Sequence, residues 1–175
     1  MFPKGHKHQG LVADFVMARK DLGFISGTRK PILQLGTLSD DLMRRDFTVN
    51  AMAMDMDGNI IDDWGGQRAL QQMTLRTPLD PMTTLMDDPL RLLRALRFSI
   101  TRGFRISDPL WDAMMQPGIL VKMKDVVSQD RMRDDVTKMM AHDTVKSLKL
   151  LSSIPGLLDV VFSDGLWLMP TSKKV

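Results

Sequence analysis

Arg44-Arg45-Asp46-Phe47-Thr48-Val49-Asn50-Ala51-Met52-Ala53 sets two guanidiniums, a carboxylate and an amide against an apolar, β-branched run. Read locally, Phe47 to Met56 predicts a strand entered through polar side chains, and Asp57-Gly58-Asn59 then predicts a hairpin returning through Ile60 and Ile61. Asp46 and Asn50 stand at the mouth of that strand, where polar groups are costly to desolvate without partners. A solvated turn is the plain alternative. A bound ribose or phosphate is the reading favoured here, because it supplies those partners.

A second stretch lies downstream, Asp87-Asp88-Pro89-Leu90-Arg91-Leu92-Leu93-Arg94. Paired acids followed by proline predict a helix N-terminus. Leu92, Leu93, Leu96 and Ile100 then share one face, Arg91, Arg94 and Arg97 the other, and Gly103 ends the helix. An exposed basic face is the plain reading. Such faces usually mix in glutamate, however, and this one has no acid after Asp88. Arginine suits bidentate contact with phosphates or base edges. A carboxylate beside a guanidinium also offers acceptors and donors together, as a nucleobase edge requires.

Working outward, residues 11 to 18 read as a short buried strand carrying one charge, Asp14, which is structural or metal-facing with equal weight. Residues 19 to 41, punctuated by glycines, read as a loop with a brief strand at 32 to 35. Asp62-Asp63-Trp64-Gly65-Gly66 reads as a turn, and 67 to 73 as a short helix. Beyond residue 80 the pattern is helical, with further helices expected at 107 to 116, 128 to 141 and 143 to 153. Mixed α and β structure therefore precedes an all-α part, divided as residues 1–78 and 79–175.

The 175-residue chain carries a formal net charge of +3, which suits a phosphate-bearing partner without requiring one. It has no cysteine, so disulfides and thiolate metal sites are excluded. No apolar run approaches the roughly 18 residues of a membrane span, and a cytoplasmic location is expected. His6, His8 and His142 show no metal-ligand spacing, and the 16 methionines read mainly as core filler.

These segments closely resemble the tRNA nucleotidyltransferase / poly(A) polymerase family, in its class II CCA-adding branch. The family's second motif is matched by Arg44 to Met52, its third by Asp62, Gly65 and Gly66, and its fourth by Asp87 through Phe104. A weaker fifth corresponds to Arg131-Met132-Arg133 and on to Lys138. The resemblance implies an α+β fold, a partial nucleotidyltransferase-type head with an incomplete mixed β-sheet followed by a helical neck and body. It implies that Asp88 and Arg91 read the base of CTP or ATP. Arg45, Asp46 and Asn50 would hold the ribose, Arg94 the triphosphate, and Arg97 would join the nucleotide-binding set. Asp14 would be a catalytic, Mg²⁺-binding carboxylate, and Arg131 and Arg133 would lie in the neck, towards the tRNA 3′ end.

The family's first motif, a Gly-Gly-x-x-Arg-Asp loop followed by Asp-x-Asp, belongs upstream of Asp14. No Asp or Glu precedes Asp14 here. The expectation is therefore a truncated or split form with little activity alone, because two-metal nucleotidyl transfer needs several carboxylates. A poly(A)-adding homologue is an alternative. So is a non-catalytic nucleotide- or RNA-binding module completed by a partner chain that carries the missing motif.

Overall fold

A computed structural model describes residues 16–24, 31–163 and 165. Two compact units emerge, residues 1–41 and 42–175. In the first, β1 (Arg19–Phe24) pairs antiparallel with β2 (Pro31–Leu35), in the register Arg19 to Leu35. This corrects the loop expected from 19 onward. Val16 and Met17 are 76% and 74% exposed and lie outside any strand, so the buried strand expected to reach residue 18 is absent over 16 to 18. The rest of that stretch, with Asp14, lies outside the described residues. Thr37 and Asp40 cap the start of α1 (Leu38–Met43), a helix not expected from the sequence: the Asp40 carboxylate accepts from the Thr37 N–H at 2.9 Å.

The second unit opens on the 44–53 segment. Thr48–Asn50 forms a 3₁₀ turn where a strand was expected. The Asn50 N–H donates to the Phe47 carbonyl and the Ala51 N–H to that of Thr48, both at 2.9 Å, so the chain curls before it extends. Only Ala53–Met54 is strand (β3), and it pairs with β4 (Ile60–Ile61) around the expected Asp57-Gly58-Asn59 hairpin. The Asp55 carboxylate organises that turn by accepting the Asp57 and Asn59 N–H groups. Next come α2 (Gly66–Gln71) and β5 (Thr74–Leu75), which runs parallel to β6 (Arg105–Ile106).

The helices are α3 (Pro81–Asp87), α4 (Leu90–Arg102), α5 (Asp108–Met114), α6 (Pro117–Val126), α7 (Gln129–His142), α8 (Thr144–Ser152) and α9 (Leu157–Val161). The acid pair does not open α4 as expected. Asp80 caps α3, accepting the Thr83 N–H at 2.9 Å, and Asp87 is the last residue of that helix. Asp88 is extended (φ −140°, ψ 97°), and Pro89 then starts α4. Gly103 ends α4 at φ 74°, a left-handed cap that glycine adopts without strain.

The core is built on α4. Leu92, Leu93, Leu96 and Ile100 are buried, and they share one cluster with Phe47 and Leu75, with Leu110 and Met114 of α5, and with Met132, Val136 and Met139 of α7. Phe98 meets Phe47 and Phe104 edge-on at 5.6 and 6.3 Å. Residues 47 and 75 are thus anchored in the helical core. Burial of the α4 leucines stabilises by about 2 kcal/mol each, and fixes the arginine stripe on the side facing the 44–50 turn and α7.

Candidate nucleotide site

Each arginine of the α4 stripe has a defined partner. Arg94 directs its Nε and Nη2 hydrogens to the same oxygen of Asp46, at 2.8 and 2.6 Å. Asp46 is 8% exposed, and its other oxygen accepts the Phe47 N–H at 2.8 Å and the Asn50 side-chain amide at 2.9 Å. Partners for the desolvated carboxylate thus come from within the chain. Arg45 Nη1 donates to the Asn50 carbonyl at 2.7 Å and closes the same turn from outside.

Arg91 is held by backbone. Its Nη1 donates to the Thr84 carbonyl at 3.1 Å and its Nη2 to the Arg44 carbonyl at 2.5 Å. One guanidinium therefore ties α3 to the 44–50 segment, and a guanidinium has further N–H donors beyond those two. Asp88, three residues earlier, turns one carboxylate oxygen to the Leu90 N–H at 3.2 Å. Its other oxygen meets Arg131 of α7 at 3.0 Å. Arg97 pairs through Nε with Asp135 Oδ1 at 2.5 Å. Asp135 is 4% exposed and is a residue the sequence reading did not single out. Its signal was available: an acid four residues after Arg131, on the face of α7 that carries Met132, Val136 and Met139.

Asp62, Gly65 and Gly66 form the expected turn at the start of α2. The Asp62 carboxylate accepts the Gly66 N–H at 2.6 Å and the Gln67 N–H at 2.9 Å, so it serves the first turn of the helix as an anion. Burial pushes this carboxyl up, but the Gln67 and Gly66 N–H bonds, with help from the Gln67 side chain and Gly65, outweigh it. The group is held below its ordinary 3.8. Gly65 is left-handed at φ 70°. Gly66 has no room for a side chain, since a Cβ would stand 2.3 Å from the Thr48 carbonyl oxygen and 2.6 Å from Met52 Cγ. That close approach locks α2 onto the 3₁₀ turn.

The site therefore gathers Arg45, Asp46, Asn50, Asp88, Arg91, Arg94 and Arg131 around the junction of the 44–50 turn with the N-terminal end of α4. Arg97 lies further along α4, against Asp135. Arg133 points elsewhere, in a loose pair with Asp130 at 3.9 Å. Among the described residues no three His, Asp or Glu side chains converge as a metal ion needs, and Asp14 lies outside them. Nothing among the described residues fits Mg²⁺.

A small mixed head with acid–arginine pairs at the root of a helix defines a nucleotidyltransferase-type fold. A family model described as the poly A polymerase head domain matches residues 6–76. A CCA-adding enzyme of Bacillus pumilus is 31% identical over 158 residues, covering 86% of this chain and 39% of that protein. The crystal structure of the Bacillus stearothermophilus CCA-adding enzyme in complex with CTP superposes with a TM-score of 0.70 at 29% identity, covering 83% of this chain and 34% of the other. A tRNA nucleotidyltransferase complexed with a primer tRNA and an incoming ATP analog superposes at 0.65, also at 29% identity, over 77% of this chain and 40% of that one. The chain thus spans well under half the length of these relatives. It belongs to the tRNA nucleotidyltransferase / poly(A) polymerase family.

Among the described residues no helix is long and apolar enough to cross a membrane.

Proposed function

We propose that this chain carries the nucleotide-selecting part of a CCA-adding nucleotidyltransferase, in which Asp88 and Arg91 read the base of CTP or ATP. The supporting observation is that Arg91 is clamped by the Thr84 and Arg44 carbonyls, while Asp88 sits in the link just before α4 with its side chain 34% exposed. A carboxylate accepts from the exocyclic amine that cytosine and adenine share. A guanidinium donates to the ring nitrogen beside that amine, and to O2 in cytosine. Uracil and guanine place an oxygen where the amine would be and are repelled by Asp88. Selection follows without a nucleic-acid template.

Asp46, held by Arg94, Asn50 and the Phe47 N–H, fixes the floor of this site. The ribose would rest against Asn50 and Arg45, and the outer edge of Arg94 would face the triphosphate. In the complete reaction the primer 3′-hydroxyl of tRNA attacks the α-phosphorus and pyrophosphate leaves. The family model's own description keeps a poly(A)-adding activity as a second reading.

The test is equilibrium binding of CTP, ATP, UTP and GTP to the purified chain and to Asp88→Ala and Arg91→Met. The proposal expects CTP and ATP to bind preferentially, and each variant to lose that preference. Equal binding of all four nucleotides to the unaltered chain contradicts it.

A further inference from the structure

A cleft of about 270 Å³ opens in the second unit, and none of the residues gathered at the root of α4 lines it. It lies just beyond the carboxyl ends of β5 and β6, which run parallel, and parallel strands offer ligands a crevice at that end. Arg76 and Thr77 enter it from the end of β5, Arg105 and Ser107 from β6 and the step into α5. Leu79, Pro81 and Pro109 supply an apolar wall. Pro81 is the first residue of α3 and Asp88 follows its last, so about 10 Å of helix separates the cleft from the base-reading acid.

The two guanidiniums of the cleft are loosely engaged. Arg76 Nη2 reaches Gln72 Oε1 at 3.4 Å, and Arg105 Nη1 meets Asp108 Oδ1 at 3.2 Å in a pair whose side chains are 64% and 89% exposed. An exposed pair of that kind contributes little and yields to a better acceptor. A guanidinium carries five N–H donors, so most remain for a ligand. Ser107 is 9% exposed and stands at the N-cap of α5, yet its hydroxyl caps no N–H of that helix. Thr77 differs, since its hydroxyl donates to the Leu79 carbonyl at 2.6 Å and shapes the wall. Two guanidiniums against one carboxylate, beside an apolar wall, suit an anion carried on a ring. We infer that this cleft is a second ligand site, which takes a nucleoside monophosphate unit. Its phosphate lies between Arg76 and Arg105 within reach of the Ser107 hydroxyl, and its ring rests on Leu79, Pro81 and Pro109. The same chemistry is offered by a free nucleotide and by one link of an RNA strand.

The probes are UMP and a short oligouridylate, chosen because uracil is the base that Asp88 is proposed to repel. Each is titrated by calorimetry into the full chain, Arg76→Met, Arg105→Met and Asp108→Asn, with Lys146→Met as a control for the loss of one positive charge. Thermal unfolding confirms that every variant is folded. Arg76→Met and Arg105→Met are each expected to weaken the probe that binds by about five- to tenfold. Asp108→Asn frees Arg105 and removes the competing carboxylate, so it is expected to tighten binding by about two- to threefold. Lys146→Met is expected to change nothing. Oligouridylate binding more tightly than UMP assigns the site to an RNA strand, and the reverse order assigns it to a free nucleotide. Absence of saturable binding of either probe to the unaltered chain overturns the inference. So does unchanged affinity in both arginine variants, or an equal loss in Lys146→Met, which is a general charge effect. Weaker binding in Asp108→Asn also overturns it, because the carboxylate would then be a ligand contact and the site would not be one for an anion.

Discussion

Arg94 and Asp46, separated by 48 positions, meet through two N–H donors on a single carboxylate oxygen, at 2.8 and 2.6 Å. That contact fastens the first turn of the unit to the face of α4, and it binds the most densely bonded buried carboxylate of the candidate site. Replacing Asp46 with alanine strands the Phe47 N–H, the Asn50 amide and the Arg94 guanidinium together. We expect urea unfolding to show a loss of about 2–3 kcal/mol, discounted because the Arg94 side chain is partly open to solvent. A loss below about 0.5 kcal/mol would mean that the turn holds without it.

The glycine pair at the start of α2 separates two physical causes. Gly66→Ala forces a methyl onto the Thr48 carbonyl, which is backbone and cannot swing aside. Overpacking of that kind costs about 1–3 kcal/mol. Gly65→Ala meets no atom within 4 Å and suffers only from its left-handed φ of 70°, at about 1 kcal/mol. Chemical denaturation of the two variants should rank them in that order. The reverse ranking would contradict the close approach of α2 to the 48–50 turn.

Asp62 gives a pH signature. Its folded carboxyl is held below 3.8 by the Gln67 and Gly66 N–H bonds, despite burial acting the other way. A depressed carboxylate adds stability that is present above its unfolded pKa and lost as pH falls through the folded value. The stability difference between the native chain and Asp62→Asn should therefore be full above about pH 5 and shrink below 3.8. Urea midpoints measured from pH 2.5 to 6 check this. A pH-independent difference would refute the anionic role at the start of α2.

Arg97 and Asp135 form a pair with little exposure on either side. Removing one member leaves a charge without its partner, at a cost of about 3 kcal/mol. Replacing both with apolar residues of similar size is expected to be close to neutral. Asp135→Leu alone should thus destabilise, and Arg97→Met with Asp135→Leu should recover most of the loss. Strict additivity of the two single changes in a double-mutant cycle would show that the pair is not coupled.

Sequence patterns made the centre of this fold legible. The α4 period and its Gly103 stop are set by local spacing, and the structure buries Leu92, Leu93, Leu96 and Ile100 as that spacing selects. The hairpin at Asp57-Gly58-Asn59 was equally local. What escaped depended on contacts made at a distance. Thr48–Asn50 curls into a 3₁₀ turn while the Asp46 carboxylate accepts the N–H of the preceding Phe47 and the Arg76 carbonyl that of Thr48, against the extended preference of Thr and Val. The stretch beyond residue 80 read as helical, but the Asp80 cap makes Pro81–Asp87 a helix of its own, separate from α4. Asp88 was placed at a helix start and lies instead in a link, where its carboxylate meets Arg131 of another helix. No spacing rule within one segment could have paired residues 88 and 131.

The most direct measurement is a crystal structure of this chain grown with CTP. The account predicts the cytosine amine roughly 3 Å from the Asp88 carboxylate and the ring nitrogen or O2 at the same range from Arg91, with Arg131 still on Asp88. CTP bound with its base turned away from both residues, or seated elsewhere on the unit, would contradict it.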